Sequence, residues 1–559
     1  MNITVIFCEK DVMMVNDVIK KGGKVLKKVV LLAINSKYLH SSLSVWLLAG
    51  GIKKYARRQY DVNIFESTIH IPKDEIAGKV AAFKPDVVGI SAYIWNSSIL
   101  PGLISALQEK LPMAKIVLGG PEVLENAELE ALPGVCHVIS GEGEFTFASL
   151  LDKMTDGNDS PISPCNENIY PCGEPIDPYD GEYFKALNGR IAYIETSRGC
   201  PFKCKFCLSG SVSQRFFPLD TAKEWIYKLS KSDARTIKFV DRTFNCNASR
   251  AAEIFEYVIG LDTDRCFHFE VAADLFDSRT LEILKQAQPG RIQLEAGLQS
   301  FFEPTLEAVS RKMDIKKAEH NLKALINAGN IHTHVDLIAG LPYETLEEFK
   351  VSFDKAYSLR AHTLQLGFLK FLHGSEMRRK AKGWGMVYSP APPYEILSSP
   401  WLSEDDLRVL KITENALQHT YNKGRFLLTL EYVLSATGLR PFSLMNTIGD
   451  AAPNHGTQLE KYAEQLFECL AKLENVDEVE LCDKMTCDWL SMVKGKNMPE
   501  FMKNSDPKRE KITQEARAMM NHEIGRSEIA VLRSGIGVFV DNSCRDPVTG
   551  LYKLHLVEL

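Results

Sequence analysis

The chain has 559 residues, 45% of them hydrophobic and 25% charged, the make-up of an ordinary globular protein of about three domains. A net charge of −6 without a basic tract gives no footprint for nucleic acid, and no run reaches the length of a membrane span. Thirteen cysteines, an odd number irregularly spread, argue for reduced thiols in a cytoplasm rather than a disulfide framework.

Residues 1–28 read as an amino-terminal extension. They open apolar, but Glu9, Lys10 and Asp11 interrupt the run and no small-residue cleavage site follows, so a signal peptide is not expected. Met13 and Met14 offer alternative starts, and compact structure is expected from near Lys27. Apolar strands then alternate with amphipathic helices: strands at 29–34, 61–65, 86–91, 114–118 and 136–139, helices at 43–55, 73–83 and 103–110. This alternation predicts a parallel, doubly wound, flavodoxin-like sheet over residues 29–150, with ligands at the carboxyl ends of its strands. Those ends read Asn35-Ser36, Ser91-Ala92-Tyr93-Ile94-Trp95-Asn96, Gly119-Gly120-Pro121-Glu122 and Gly141-Glu142-Gly143-Glu144. Glycine admits a ligand close to the backbone, and Ser and Asn donate hydrogen bonds. The Gly-x-Gly-x-x-Gly of a dinucleotide site is missing.

Residues 151–190, with Pro161, Pro164, Pro171, Pro175 and Pro178 among polar residues, read as a linker; its Cys165 and Cys172 are expected to be free thiols. From Ile191 strand and helix recur, with strands at 191–195, 236–240, 267–272, 291–296, 332–338 and 363–369. Six such units over 191–376 predict a partial (β/α) barrel whose chemistry sits at the carboxyl ends of the strands. Polar residues fall at those ends: Glu195, Asp241-Arg242, Glu270, Glu295 with Gln299-Ser300, and Asp336, a set expected to surround a charged ligand. His332 and His334 share a strand face. With Asp336 placed one step further toward the pocket, they are expected to lack a carboxylate on their own face and to be structural rather than a metal pair. Residues 377–559 read as mostly helical (404–419, 425–435, 458–473), closing in a hairpin of 529–540 and 551–557; Cys482 and Cys487 are too loosely spaced to argue for metal.

The first barrel strand runs into Arg198-Gly199-Cys200-Pro201-Phe202-Lys203-Cys204-Lys205-Phe206-Cys207. Three thiolates so close hold three irons of a 4Fe-4S cluster and leave the fourth iron to a non-protein ligand. Structural zinc would need a second cysteine or histidine pair, and none lies nearby. This spacing, with an aromatic residue before the last cysteine, resembles the radical S-adenosylmethionine (SAM) enzymes, in which the amino and carboxylate groups of SAM take the open iron. The resemblance covers residues 191–376. It implies that Phe206 lies by the adenine, that Glu295 or Gln299 holds the ribose or methionine end, and that Asp241 and Asp336 line the pocket.

Lys84-Pro85-Asp86-Val87-Val88-Gly89-Ile90-Ser91, Gly119-Gly120-Pro121-Glu122 and Gly141-Glu142-Gly143-Glu144 resemble the cobalamin-binding domain that precedes the radical core in one class of these enzymes. The implied cobalamin contacts are Asn35, Ser36, Ser91, Tyr93, Gly119, Gly120, Pro121, Glu122, Gly141, Glu142 and Gly143. The Asp-x-His-x-x-Gly loop of cobalamin mutases is absent, so cobalamin is expected without a histidine ligand and His40 as a surface-loop residue. The carboxyl-terminal third resembles the uncharacterised tail of a bacterial subgroup of this class and is expected to cover the barrel mouth. The resemblance implies SAM cleavage to a 5′-deoxyadenosyl radical, hydrogen abstraction from an unactivated carbon, and methyl transfer by cobalamin. The alternatives are cyclisation or rearrangement with or without cobalamin, and a non-enzymatic cobalamin or redox sensor, for which no output module is seen. The implied partners are a small molecule or peptide substrate and an electron donor such as a flavodoxin or ferredoxin, with neither membrane nor nucleic acid.

Overall fold

The computed structural model describes residues 4–7, 27–157, 175–453, 456–493, 498–503, 510–512, 514–515 and 528–557; Cys165 and Cys172 fall outside them. The chain forms two compact units. The first comprises Met1–Val271, Val309–Arg311 and Lys370–Ile396, the second Ala272–Ala308, Lys312–Leu369 and Leu397–Leu559.

In the first unit, strands β1 (Thr4–Phe7), β2 (Lys27–Asn35), β3 (Tyr60–Thr68), β4 (Val87–Ser91), β5 (Lys115–Gly119) and β6 (Val135–Ile139) form one parallel sheet in the order β1-β3-β2-β4-β5-β6. The uninterrupted apolar run Val29–Ile34 is at most 1% exposed, as a strand must be when helices cover both faces of its sheet. Helices α1 (Leu43–Tyr55), α2 (Lys73–Ala82) and α3 (Leu100–Lys110) supply cover. Val30, Leu32, Ile34, Val88 and Ile90 pack with Ile76, Leu103, Ile104 and Leu107 in one core. From β2 onward the order is the flavodoxin order, and it reverses between β2 and β4. A doubly wound sheet opens its ligand crevice at that reversal. The expectation that structure starts near Lys27 is corrected by β1, which pairs Thr4–Phe7 with Asn63–Glu66. So short a segment, isolated from the next strand, carries no periodicity to read.

The same unit holds three further parallel strands, β7 (Ala192–Ile194), Thr236–Phe239 and Cys266–Val271, with helices at Leu219–Ser230 and Ala248–Gly260. The second unit carries the parallel strands Ile292–Gln299, His332–Ala339 and Thr363–Phe368, with helices at Ile315–Ala328 and Leu346–Ser358. Burial alternates residue by residue along its first two strands, so Glu295, Gly297 and Gln299 share one face, and His332, His334 and Asp336 another such row. The carboxyl-terminal third is helical. Ser403 opens the Glu404–His419 helix with a capping box through Asp406. Helices Pro441–Ala451 and Glu478–Met492 join those read from periodicity.

The chain closes in three antiparallel strands rather than two. The run read as 529–540 is broken by a turn in which Leu532 N donates to Ile536 O at 2.8 Å, with Gly535 at φ +84°. The fold class is therefore α/β, with a helical carboxyl-terminal region and a terminal antiparallel sheet. No helix among the described residues is long and apolar enough to cross a membrane.

Candidate active site: the cysteine loop and two polar clusters

The cysteine loop leaves β7 through Thr196–Gly199. Gly199 has φ +79°, and a Cβ there would lie 2.4 Å from Ser213 O, so only glycine lets the loop fold back on itself. Asp241, 2% exposed, fixes this turn: its carboxylate accepts from Thr196 N (2.9 Å), Thr196 Oγ1 (2.7 Å) and Ser197 Oγ (2.6 Å). Arg198 donates to Glu195 Oε2 and to Glu142 Oε2, each at 2.9 Å, and also to Glu144. Arg215 adds a second bond to Glu142. Burial raises the pKa of Glu195, opposed by the adjacent Arg198 guanidinium.

Cys200 and Cys204 are buried and Cys207 half-buried. Each sulfur has a polar group at hand: Thr243 Oγ1 is 3.4 Å from Cys200 Sγ, Ser209 N donates to Cys207 Sγ at 3.4 Å, and Arg311 Nη1 to Cys204 Sγ at 3.9 Å. Burial pushes the Cys204 thiol up, and Arg311 pulls it back toward the thiolate. Donors aimed at sulfur are what metal-bound thiolates accept, and they tune the potential of an iron–sulfur cluster. Three thiols in one loop, each with a hydrogen-bonding group beside it, supply one ligand fewer than a four-cysteine structural zinc site and leave one metal position open. The donor set fits a cluster. Phe206 is half-buried between Lys205 and Cys207.

At the sheet reversal, Trp95 Nε1 (2.9 Å) and Asn96 Nδ2 (3.1 Å) donate to Ile34 O, and Asn96 Nδ2 also to Ser91 O (2.9 Å). These bonds bracket the ends of β2 and β4. Tyr93 stacks flat on Trp95, centroids 4.3 Å apart and planes 8° apart, and Trp95 stays 41% exposed. Pro121 is exposed, and Gly141 (φ +83°) has nothing within 4 Å of where a Cβ would stand. A flat aromatic platform beside open backbone at the crevice fits the face of a corrin.

Other residues of the expected cobalamin set have partners inside the protein. Asn35 donates to Glu66 (2.9 Å) and to His40 O (3.0 Å). Ser91 Oγ is 3.4 Å from Ser44 Oγ, and Ser36 is half-buried. Gly119 meets Ile139 only at ordinary contact distance, while Gly120 (φ +113°) would drive a Cβ to 2.5 Å from Ala92 O. A Cβ on Gly143 would meet Leu48 at 2.9 Å. Glu122 is 4% exposed, its carboxylate held by Tyr394. His40 is not a free surface-loop residue. Its Nδ1 lies 2.7 Å from Tyr193 Oη, and burial, then Lys37 and Lys238, lower its pKa.

In the second unit His334 Nε2 lies 3.0 Å from Asp336 Oδ1, with Glu295 in the same cluster. The expectation that these histidines lack a carboxylate on their own face is corrected: positions 334 and 336 are two apart in a strand and project together. That signal was present in the alternation. His332 is structural, its Nδ1 2.9 Å from Val548 O and its Nε2 3.3 Å from Thr363 Oγ1. Gln299 adopts φ +70° at a register shift, and Gly297 leaves room for its side chain, since a Cβ there would lie 2.2 Å from Gln299 Nε2. Glu344, fully buried, braces the turn by accepting from Ser300 Oγ (2.6 Å) and Ser352 Oγ (2.9 Å), and Ser352 Oγ accepts from Phe301 N (3.1 Å). Burial pushes the Glu344 carboxyl up to about 7.

Residues 29–151 match the B12 binding domain family, 194–356 the Radical SAM superfamily, and 382–531 a family described as protein of unknown function (DUF4080). The chain carries a radical SAM domain preceded by a cobalamin-binding domain. The cofactors of these domains are a 4Fe-4S cluster, SAM and cobalamin. The chain is 26% identical over 340 residues to an uncharacterised methyltransferase of Pyrococcus horikoshii, a match covering 54% of this chain and 71% of the relative. It is 26% identical over 345 residues to the cobalamin-dependent radical SAM methyltransferase TokK of Streptomyces tokunonensis, covering 54% of this chain and only 50% of TokK. Its fold is like that of the cobalamin-dependent SAM radical enzyme OxsB solved with aqua-cobalamin and SAM: TM-score 0.55 at 13% identity, over 90% of this chain and 82% of that one.

Proposed function

We propose that this protein is an enzyme that cleaves SAM reductively and uses the resulting 5′-deoxyadenosyl radical to abstract hydrogen from an unactivated carbon of a small molecule, which is then methylated. The observation that carries this reading is the cysteine loop: three thiols gathered in one loop, each with a hydrogen-bonding group beside it. When bound, the cluster supplies the electron that breaks the SAM C–S bond, and cobalamin supplies methyl-transfer chemistry. Cys200, Cys204 and Cys207 hold the cluster, and Arg311 and the Ser209 amide polarise its sulfur ligands. Phe206 lies by the adenine. Gln299, Glu295 and Asp336 contribute polar contacts to SAM, and Asp241 acts through the turn that it fixes at Thr196 and Ser197. On the cobalamin side, Tyr93 and the backbone of Gly120 and Gly141 line the corrin, with Ser36, Ser91, Gly119, Pro121 and Gly143 around it; Asn35 and Glu142 shape the crevice through Glu66 and Arg198. The protein's share is orientation and exclusion of water from the radical.

Anaerobic reconstitution with iron, sulfide and hydroxocobalamin, followed by reduction in the presence of SAM, tests the reading. The expected products are 5′-deoxyadenosine and, with substrate, S-adenosylhomocysteine. A fully loaded protein that releases no 5′-deoxyadenosine refutes SAM cleavage. Release of 5′-deoxyadenosine with no S-adenosylhomocysteine in the presence of substrate assigns the radical to cyclisation or rearrangement instead.

A further inference from the structure

The segment Lys370–Ile396, whose end opens the family of unknown function at residue 382, touches two loops of the first unit. At the cobalamin crevice, Tyr394 Oη donates to Glu122 Oε1 at 2.5 Å, and His373 Nδ1 lies 3.2 Å from Glu125 O. Tyr394 and Glu122 are each 4% exposed. Gly374 (φ +77°) comes so close to the turn that a Cβ would stand 2.9 Å from Leu124 Cβ. At the cysteine loop, Met377 N donates to Lys205 O at 2.8 Å, one residue after Cys204.

The Tyr394 side chain is itself clamped. Arg378 lies 4.8 Å over its ring, and His373 meets it edge-on at 5.0 Å. Its backbone sits at φ +57°, a left-handed conformation that a bulky aromatic rarely adopts without strain. Such strain persists where the surroundings over-determine a residue, and the group so fixed here is the hydroxyl on Glu122.

We propose that Tyr394 is a positioning residue for cobalamin: by holding the Glu122 carboxylate it sets the turn after β5, while its own segment also seats the cysteine loop. The segment 370–396 thus links the two cofactor loops, and the family segment that begins at residue 382 supplies its Tyr394 end. The inference rests on the reading that the Gly119–Glu122 turn lines cobalamin.

Full-length protein is titrated with hydroxocobalamin by visible absorbance, and iron is counted in the same reconstituted samples. Tyr394→Phe keeps the clamped ring and removes only the hydroxyl, leaving a buried acceptor short of one donor. The expected result is a Kd for hydroxocobalamin raised about tenfold, the size of one lost buried bond, with four irons retained. Tyr388→Phe removes a hydroxyl from the same segment that makes no bond to the turn, and is expected to bind as wild type. Glu122→Leu removes the other partner and is expected to weaken cobalamin alike, which keeps the test open if Tyr394→Phe does not fold. A merely structural role would lower iron and cobalamin together. Wild-type binding with an unchanged Kd in Tyr394→Phe, or in Glu122→Leu if that variant must stand in, overturns the inference alone. A wild-type protein that binds no hydroxocobalamin overturns the cobalamin reading and the inference with it.

Discussion

Removing the guanidinium of Arg190 is expected to destabilise the cobalamin domain by about 3 kcal/mol, near the low end for breaking a buried ion pair. Arg190 and Glu66 have side chains 3% and 1% exposed, and Arg190 donates to both Glu66 oxygens, at 2.9 and 3.2 Å. The same guanidinium satisfies the carbonyls of His40, Ala186 and Leu187. In Arg190→Ala, Glu66 stays buried with two donors, Asn35 Nδ2 and Ser42 N, so part of its desolvation remains offset. The assay is hydrogen exchange of the β2 and β3 amides by mass spectrometry. A loss of about 3 kcal/mol speeds exchange of the best-protected amides roughly a hundredfold. Replacing both partners, as Arg190→Met with Glu66→Leu, is expected to recover most of the protection, because no lone charge is then buried. Protection within threefold of wild type in Arg190→Ala would show that the pair is not what holds this crevice together.

Cys204→Ala is expected to retain well under four irons after reconstitution; undiminished iron refutes the cluster assignment. Gln299→Ala is expected to raise the Kd for SAM about tenfold by equilibrium dialysis, the size of one lost polar contact, and an unchanged value removes Gln299 from the SAM site. Glu344 gives a pH signature. Its folded pKa of about 7 lies above the ordinary 4.5, so its stabilising contribution is full below pH 4.5 and lost as pH rises through 7. A shift of this size is worth roughly 3 kcal/mol. Urea titrations at pH 5 and pH 8 should therefore show Glu344→Gln gaining on wild type at the higher pH; a parallel response of the two proteins contradicts the assignment.

Five strands and three helices of the doubly wound sheet were legible to within three residues because strands buried on both faces are continuous apolar runs, and helix α1 ends where its pattern ends; the helix Gly143–Thr155 was not read. The cysteine loop was legible because a cluster imposes local spacing. Long-range pairs left no such trace. Arg190 meets Glu66 across 124 residues and Tyr394 meets Glu122 across 272, so each reads locally as an ordinary polar residue. The same holds for Asp241, where a pocket-lining carboxylate and a turn brace share one sequence pattern. The cluster of Glu295, His334 and Asp336 was half legible: the alternation placed His334 and Asp336 together, but pairing with the neighbouring strand brought in Glu295.

Strand β1 covers Asn63–Glu66 of β3, which spans Tyr60–Thr68. Without it β3 becomes the rim of the sheet, presenting a row of unused backbone donors and acceptors. Such a rim is a template for pairing with another chain. A shortened protein lacking residues 1–26 would keep both cofactor loops and yet be prone to self-association, so preparations started at Met13 or Met14 would differ in solubility from the full chain before they differed in chemistry.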